Sequence, residues 1–285
     1  MEKKSVVGHN ALELAYERGS KEMVDLLLQL RPDLLAKSQV PLSYLCKTGD
    51  LEGLRKILEE QIRSPLTPKI FPSYTSGCPL HESVVNGRLD VLRFFLEEAK
   101  VDANSTDLAY SSVPCFNVLA EGKTAFSDEQ SVHVAELLAQ HGAKLNVVDV
   151  GGRSSLSQCV SSGNVPLMKW LCTTGGLKVR EHVGAHSLYY HAFLAKKNKM
   201  DMLNLLFELG LDVNVADATG TTLLMQAAQS MSVEVIKWAI GRSATIEARD
   251  LAGKTALERF LSSPHGKSSS KAAKEVVALL TVQRL

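Results

Sequence analysis

The sequence has no apolar run approaching the roughly 20 residues that a membrane-spanning helix needs, and no excess of either charge: the formal net charge is +1. Membrane insertion is therefore not expected, and nothing global draws the chain to nucleic acid or to an anionic bilayer. Aromatic residues are few, at 6 %, which leaves little for base-stacking platforms. The five cysteines, Cys46, Cys78, Cys115, Cys159 and Cys172, are isolated and include no CxxC pair. That pattern fits free thiols in a reducing compartment, cytoplasmic or nuclear. Met1 to Asn10 carries Lys3 and Lys4 with no apolar stretch behind them, unlike a secretory signal. What remains is ordinary for a folded domain, 45 % hydrophobic and 22 % charged.

Internal periodicity is present instead. Small or helix-breaking residues separate pairs of apolar helical stretches at Gly19, Gly49, Gly87, Gly122, Gly163, Asn198, Met231 and Pro264, with spacings of 30, 38, 35, 41, 35, 33 and 33. Before most anchors lies a short segment of small and apolar residues at helical spacing: Leu12, Ala15 and Tyr16; Leu42, Leu45 and Cys46; Leu80, Ser83 and Val84; Leu156, Cys159 and Val160; Leu224, Ala227 and Ala228. After each anchor comes a bulkier stretch, such as "MVDLLLQL", "VLRFFL", "LMKWLC" and "MLNLLFELG". Small residues let the first helices pack closely side by side, and bulky ones fill a layer behind them. Between pairs, Asp149, Asp217 and Asp250 each precede a glycine (Gly152, Gly220, Gly253), a turn in which Gly supplies positive φ and Asp bonds its own backbone.

This combination resembles the ankyrin repeat family, whose unit of about 33 residues has a β-turn finger and two antiparallel helices. The family's T-P-L-H motif is best matched by Cys78-Pro79-Leu80-His81. The similarity extends over about residues 10–281. It implies an all-α repeat solenoid, one domain over 1–285 with about eight helix–turn–helix units: 9–36, 39–76, 77–107, 112–149, 152–183, 186–217, 220–250 and 253–281. Departures occur at Asn10-Ala11-Leu12-Glu13 and Val113-Pro114-Cys115-Phe116. A unit of this kind cannot bury its apolar face alone, and stacking makes the core continuous.

Three stretches exceed the period. Gln61–Ser76 holds Pro65, Pro68 and Pro72 and is read as a stiff loop, with Ser64-Pro65 and Thr67-Pro68 as candidate sites of proline-directed phosphorylation and Phe71 and Tyr74 tucked against the array. Lys123–Ser131 separates the helices of the fourth unit. His265–Lys274 interrupts the eighth with a Ser/Lys-rich stretch expected to be mobile. From Gly253 onward six basic residues face two acids, either a solvated end or a dock for an acidic partner. The last stretch, "EVVALLTVQRL", lacks the polar face of a terminal unit, so the natural chain is expected to continue, or this array to be a domain of a larger protein.

Reaction chemistry is thinly represented. A P-loop would need glycine where Asn117, Ala248 and Leu261 stand before the three GK[ST] tripeptides. His182, His186 and His191 form the one histidine cluster, with Gly184 inside it and no Cys or carboxylate at ligand spacing. Cys46, Cys115 and Cys159 fall at core positions of inner helices, and Cys172 ends an outer helix. Cys78 with His81 is the one thiol–imidazole pair the frame brings together, at a position where the family resemblance implies a brace for the turn. No metal, cofactor or catalytic residue is expected. Asn104, Asn146 and Asn214 each follow a leucine (Leu96, Leu138, Leu206) by eight positions. Asn214 in particular resembles the site at which asparaginyl hydroxylase of hypoxia signalling modifies ankyrin-repeat proteins; the alternative is an Asn that simply closes the hairpin.

The resemblance implies a non-catalytic module that binds a protein or peptide on its concave finger and inner-helix surface, in a scaffolding or signalling role. The positions it places there are Tyr44, Lys47, Glu82, Asn86, Asn117, Glu121, Gln158, Phe193, Lys196, Lys197, Gln226, Gln229 and Arg259. Tyr44 and Phe193 are the expected aromatic anchors. Lys196 and Lys197 beside Phe193 suggest an acidic, aromatic peptide. A monomer is expected. The alternative function is a targeting or regulatory array of a larger enzyme or channel, such as a kinase or a ubiquitin-ligase adaptor, with the activity outside this chain.

Overall fold

The computed structural model describes residues 11–18, 20–31, 45–63, 78–107, 113–181 and 186–281. Gly19, Tyr44, His182 and residues 64–76 of the proline-rich insertion lie outside them. The chain divides into two compact units, 1–119 with 123–144, and 120–122 with 145–285.

In the first unit α1 (Ala11–Glu17) packs on α2 (Lys21–Leu30), and a helical turn over 45–48 precedes α3 (Leu51–Arg63). Then α4 (Pro79–Val85) packs on α5 (Leu89–Arg93), which runs on into a π-helical turn, Phe94–Glu98. Pro79 stands at the first position of α4, where its missing N–H is no loss. A short hairpin follows: β1 (Thr106–Asp107) pairs antiparallel with β2 (Val113–Pro114), Thr106 opposite Pro114. Next come α6 (Cys115–Ala120) and α7 (Asp128–Gln140). The expected insertion Lys123–Ser131 is shorter than the sequence suggested. Ser127 accepts the N–H of Gln130 while the Gln130 side chain accepts that of Ser127, a reciprocal cap that draws Asp128–Ser131 into α7. The linker left over is pinned to α4 by the Ala125 N–H on the Val85 carbonyl, 3.0 Å.

The second unit shows the repeat most clearly. Its helices are α8 (Ser155–Ser162), α9 (Val165–Thr173), α10 (Leu188–Phe193), α11 (Lys199–Glu208), α12 (Leu223–Gln229), α13 (Val233–Ile240), α14 (Ala256–Ser262) and α15 (Lys271–Thr281). The inner row runs α8, α10, α12, α14, each packed on the next. Behind it α9 packs on α11 and α13 on α15; α11 and α13 meet where the Trp238 indole N–H donates to Asn204 Oδ1, 2.7 Å. Cys159, Ala192 and Ala227 are fully buried in the inner row, and Leu167, Met168, Leu203, Leu206, Val235 and Ile236 in the outer one. Small against small keeps the inner helices close, and each buried Leu or Ile contributes roughly 1.5–3 kcal/mol.

Hydroxyls start the inner helices. Ser154, Ser187, Thr222 and Thr255 each accept the N–H three residues on, worth about 1 kcal/mol apiece. The periodic anchors have left-handed backbone: Gly163 has φ 75°, Asn198 52° and Met231 53°. The eighth unit departs. Pro264 starts a 3-10 turn, Pro264–Lys267, whose His265 N–H bonds the Ser263 hydroxyl, and Lys271–Lys274 already belong to α15. The stretch expected to be a mobile insertion is thus a capped turn followed by helix.

Candidate interaction surface

The fingers are built by aspartates. Asp149 Oδ1 accepts the N–H groups of Gly151 and Arg153, both at 2.9 Å. Asp217 Oδ1 does the same for Thr219 and Thr221 at 2.8 and 3.0 Å, and Asp250 Oδ1 for Ala252 and Lys254, both at 2.9 Å. In each case the glycine three residues on donates back to the Asp carbonyl at 2.9 Å. Burial alone would push the carboxyls of Asp149 and Asp217 up. The hydrogen bonds they accept, with Arg153 beside Asp149, outweigh it and hold both below the ordinary Asp value. Three loops of different sequence, Val150-Gly151, Ala218-Thr219 and Leu251-Ala252, therefore share one conformation. Val150 and Leu251 project from it almost fully exposed.

Beside the fingers, two positions of each inner helix recur: the fourth and the seventh after the capping hydroxyl. They are His191 and Leu194 on α10, Gln226 and Gln229 on α12, and Arg259 and Ser262 on α14. Leu194, Gln229 and Ser262 are exposed; His191, Gln226 and Arg259 are half-buried. His186, from the finger, stacks on Tyr190 of α10 with centroids 4.2 Å apart, and its Nδ1 lies 3.6 Å from Asp217 Oδ2. His191 Nδ1 is 3.1 Å from Ser161 Oγ. The Arg259 guanidinium is held by Asp250 at 3.2 Å and Thr221 Oγ1 at 2.7 Å. The result is a polar, aromatic-bearing strip in which His186, His191 and Arg259 are braced against neighbouring repeats.

Several expected contact positions do not reach this surface. Phe193 is only 6 % exposed: counted from the Ser187 cap it is the equivalent of Val160 and Ala228, and it packs inward with the Lys199 ammonium 4.6 Å over its ring. Tyr190, His191 and Leu194 take the outward positions in its place, and the sequence frame missed them by about two residues. Asn117 is buried, and so is Gln158, whose amide donates to Asp149 Oδ2 at 3.1 Å. Glu121 is half-buried with Arg153 3.4 Å away. Lys196, Lys197 and Gln229 are exposed, while Gln226 and Arg259 are half-buried. In the first unit Lys47 is exposed; Asn86 is half-buried and donates to the backbone carbonyl and carboxylate of Glu82, also half-buried, at 2.8 and 3.2 Å. Tyr44 lies outside the described residues.

The thiols are placed for packing. Cys46, Cys78, Cys115 and Cys159 are fully buried, and burial pushes the Cys46 and Cys115 thiols well above the usual range; the half-buried Cys172 is raised to about 11. Thiols so far from ionisation are poor nucleophiles. His81 is buried, its Nε2 2.7 Å from the Val113 carbonyl of the next repeat. Among the described residues no group of three His, Cys, Asp or Glu side chains comes together as a metal-ligand set, and no helix is long and apolar enough to cross a membrane. Asn214 closes a hairpin. Its side chain accepts the Thr245 N–H at 2.7 Å and donates to the Ser243 carbonyl at 3.4 Å, as Asn104 does with Lys144 and Gly142 at 2.8 and 2.9 Å.

The same arrangement is found in solved structures. The ankyrin repeat domain of human ASB11 superimposes with a TM-score of 0.63, covering 84 % of this chain and 97 % of that one at 21 % identity. The units have the ankyrin-repeat fold. The ankyrin repeat domain of Bcl-3, described as a unique member of the IkappaB protein family, matches with a TM-score of 0.62 at 16 % identity, covering 83 % of this chain and 97 % of that one. The family model for ankyrin repeats (many copies) matches residues 190–240, the stretch from α10 to α13. The ankyrin repeat domain-containing protein SAT10 of Stachybotrys chartarum is 23 % identical over 253 residues, 80 % of this chain. The match spans 13 % of that protein's length.

Proposed function

We propose that this ankyrin array is a non-catalytic interaction module, and that the second unit binds an extended, acidic segment of a protein partner across α10, α12 and α14. The observation that carries this reading is the recurrence, helix after helix, of outward side chains beside the fingers, Tyr190, His191, Leu194, Gln226, Gln229 and Arg259, with His191 held by Ser161 and Arg259 by Asp250 and Thr221. Ankyrin solenoids use such extended finger and inner-helix surfaces for recognition, and aromatic and arginine side chains are the usual anchors. Lys196, Lys197 and Lys254 give the strip its positive character, which favours an acidic occupant.

The test is capture from native lysate with the wild-type chain, a Tyr190→Ala/Leu194→Ala/Gln226→Ala variant, and an outer-helix control, Lys169→Ala/Glu234→Ala. A partner held by the wild type and the control but lost by the inner-row variant supports the surface. Equal capture by all three overturns it. The five isolated cysteines, with no CxxC pair among them, favour a reducing compartment, cytoplasm or nucleus; a tagged chain found in the secretory pathway would contradict that. A second reading, a targeting array within a longer polypeptide, is favoured by the SAT10 relative, in which the matched stretch is a small part of the whole.

A further inference from the structure

We propose that the cleft between the end of α12, the last finger and α14 is a receptor for a single carboxylate, and that its occupant is a glutamate or aspartate side chain of the partner segment. This rests on the interaction reading above and adds to it a named chemistry at one place. The cleft encloses about 340 Å³ and is lined by Gln229, Asp250, Lys254, Arg259, Ser262 and Pro264 among others. Its charge balance is specific. Asp250, the one carboxylate in the lining, is consumed: Oδ1 takes the N–H groups of Ala252 and Lys254, and Oδ2 takes Arg259. With the Asp250–Arg259 pair neutral, the Lys254 ammonium leaves the cleft one positive charge in excess.

The donors are also arranged in advance. Arg259 is fixed at Nε by Asp250 and at one terminal nitrogen by Thr221, and about a quarter of its side chain still reaches solvent. A guanidinium carries five N–H donors, so capacity remains for an incoming oxygen, with little side-chain entropy left to lose. Lys254 is exposed on a backbone held by the Asp250 clamp, and the exposed Gln229 lines the same cleft. The hydroxyls of Ser262 and Ser263 donate to the carbonyls of Glu258 and Phe260, so the donors left for a ligand are the charged Lys254 and Arg259 and the neutral Gln229. A net charge of one matches a carboxylate better than a phosphate, which brings about −1.5 to −2. The lining holds no aromatic ring on which a nucleobase would stack.

The test is fluorescence anisotropy with three fluorescein-labelled probes: a decapeptide alternating Glu and Ala, its Gln counterpart, and a ten-nucleotide oligothymidylate. The Glu peptide should bind, the Gln peptide should bind about tenfold more weakly or not at all, and added salt should weaken the Glu complex. Lys254→Gln and Gln229→Glu should each reduce Glu-peptide binding by about tenfold or more, while Lys271→Glu, outside the cleft, leaves it unchanged. Two cleft variants are used so that one that unfolds, shown by loss of its cooperative melt, does not decide the matter. Equal binding of the Glu and Gln peptides, no binding of either, indifference to both cleft variants, or a preference for the oligonucleotide would each overturn the proposal. A partner captured by the wild type and lost by the Tyr190/Leu194/Gln226 variant, yet untouched by Lys254→Gln, would sink the carboxylate receptor and leave the interaction module standing. Loss of both would be required for the two to stand together.

Discussion

Replacing Gly163 by alanine separates two costs that the repeat imposes at one position. Gly163 has φ 75° at the end of α8, and a Cβ added there would lie 2.2 Å from the Lys197 carbonyl oxygen and 3.0 Å from its carbon. The Gly163 carbonyl meanwhile accepts the Asn198 side-chain amide at 3.0 Å, so the backbone cannot swing away freely. Gly152, in the finger of the same repeat, has the same φ, and a Cβ added to it would meet nothing within 4 Å. Left-handed backbone costs an L residue about 1–2 kcal/mol, offset by about 0.4–1 kcal/mol from the stiffer unfolded chain. Gly152→Ala should therefore cost about 1 kcal/mol. Gly163→Ala bears the same term plus about 1–3 kcal/mol of overpacking, roughly 2–4 kcal/mol in all. Thermal melts followed by far-UV circular dichroism would show a loss of about 2–4 °C for the first and at least about twice that for the second. Equal losses would mean that the α8 end and the turn before α11 do not approach as closely as described, and the inner-row spacing on which the proposed binding strip depends would be wrong.

The clamp aspartates make stability depend on acid. Because the folded Asp149 and Asp217 carboxyls lie below their ordinary value, their contribution is complete above about pH 5 and is lost as pH falls through about 4 and below. Asp149→Asn and Asp217→Asn should flatten that part of a pH–melting curve; an unchanged slope would count against the clamps. Met231→Gly relieves a left-handed non-glycine at φ 53° and should raise the melting temperature by about 1–4 °C, a gain that differential scanning calorimetry would detect. Asn214→Ala removes both hydrogen bonds to the next repeat and should cost about 1–2 kcal/mol in urea unfolding. Co-expression with an asparaginyl hydroxylase should add one oxygen to the tryptic peptide containing Asn214, and an unmodified peptide would remove that proposal.

The anchors of the repeat are legible in the sequence because their physics is local. Gly49, Gly87, Gly122, Gly163, Asn198 and Met231 stand out by spacing alone, and every one of them has positive φ. The Asp-x-x-Gly turns are equally clear, since an Asp side chain and a left-handed glycine three residues apart leave few other loops. Register within the sixth unit is harder to read. Ser187-Leu188-Tyr189-Tyr190 has neither the proline nor the histidine of the motif, and Tyr189 fills the place that leucine holds elsewhere. It can do so because its hydroxyl donates to the Leu211 carbonyl at 3.0 Å while the ring is fully buried against Trp238. With no motif residue to fix the register around Tyr189–His191, the sequence frame carries Phe193 outward. The burial of Asn117 and Gln158 is likewise invisible: a polar residue at a groove position looks exposed until a partner such as Asp149 is found beneath it.

These corrections change where specificity would be written. The fold is held by residues that face inward or bond their own backbone: the cap hydroxyls, the clamp aspartates, the small inner-row side chains and the buried thiols. Their bonding is committed to the fold, with Gln158 spent on Asp149 and each clamp carboxylate on its own loop. Gln158, fourth after the cap of α8, is fixed by Asp149, and Arg259 by Asp250, but the other residues at the fourth and seventh positions after the caps neither start a helix nor close a finger, so these positions can vary from repeat to repeat at little cost to the array. In this chain they vary widely, from His191 and Leu194 to Gln226 and Gln229 to Arg259 and Ser262. A homogeneous set would bind by bulk charge or bulk hydrophobicity and discriminate poorly. A graded strip, apolar and aromatic at α10, amide at α12 and cationic at α14 and its finger, can be satisfied along its whole length only by a segment whose own side chains change in the complementary order. The proposed surface would therefore select for sequence order in its partner, which a single enzymatic pocket of the same size would not require.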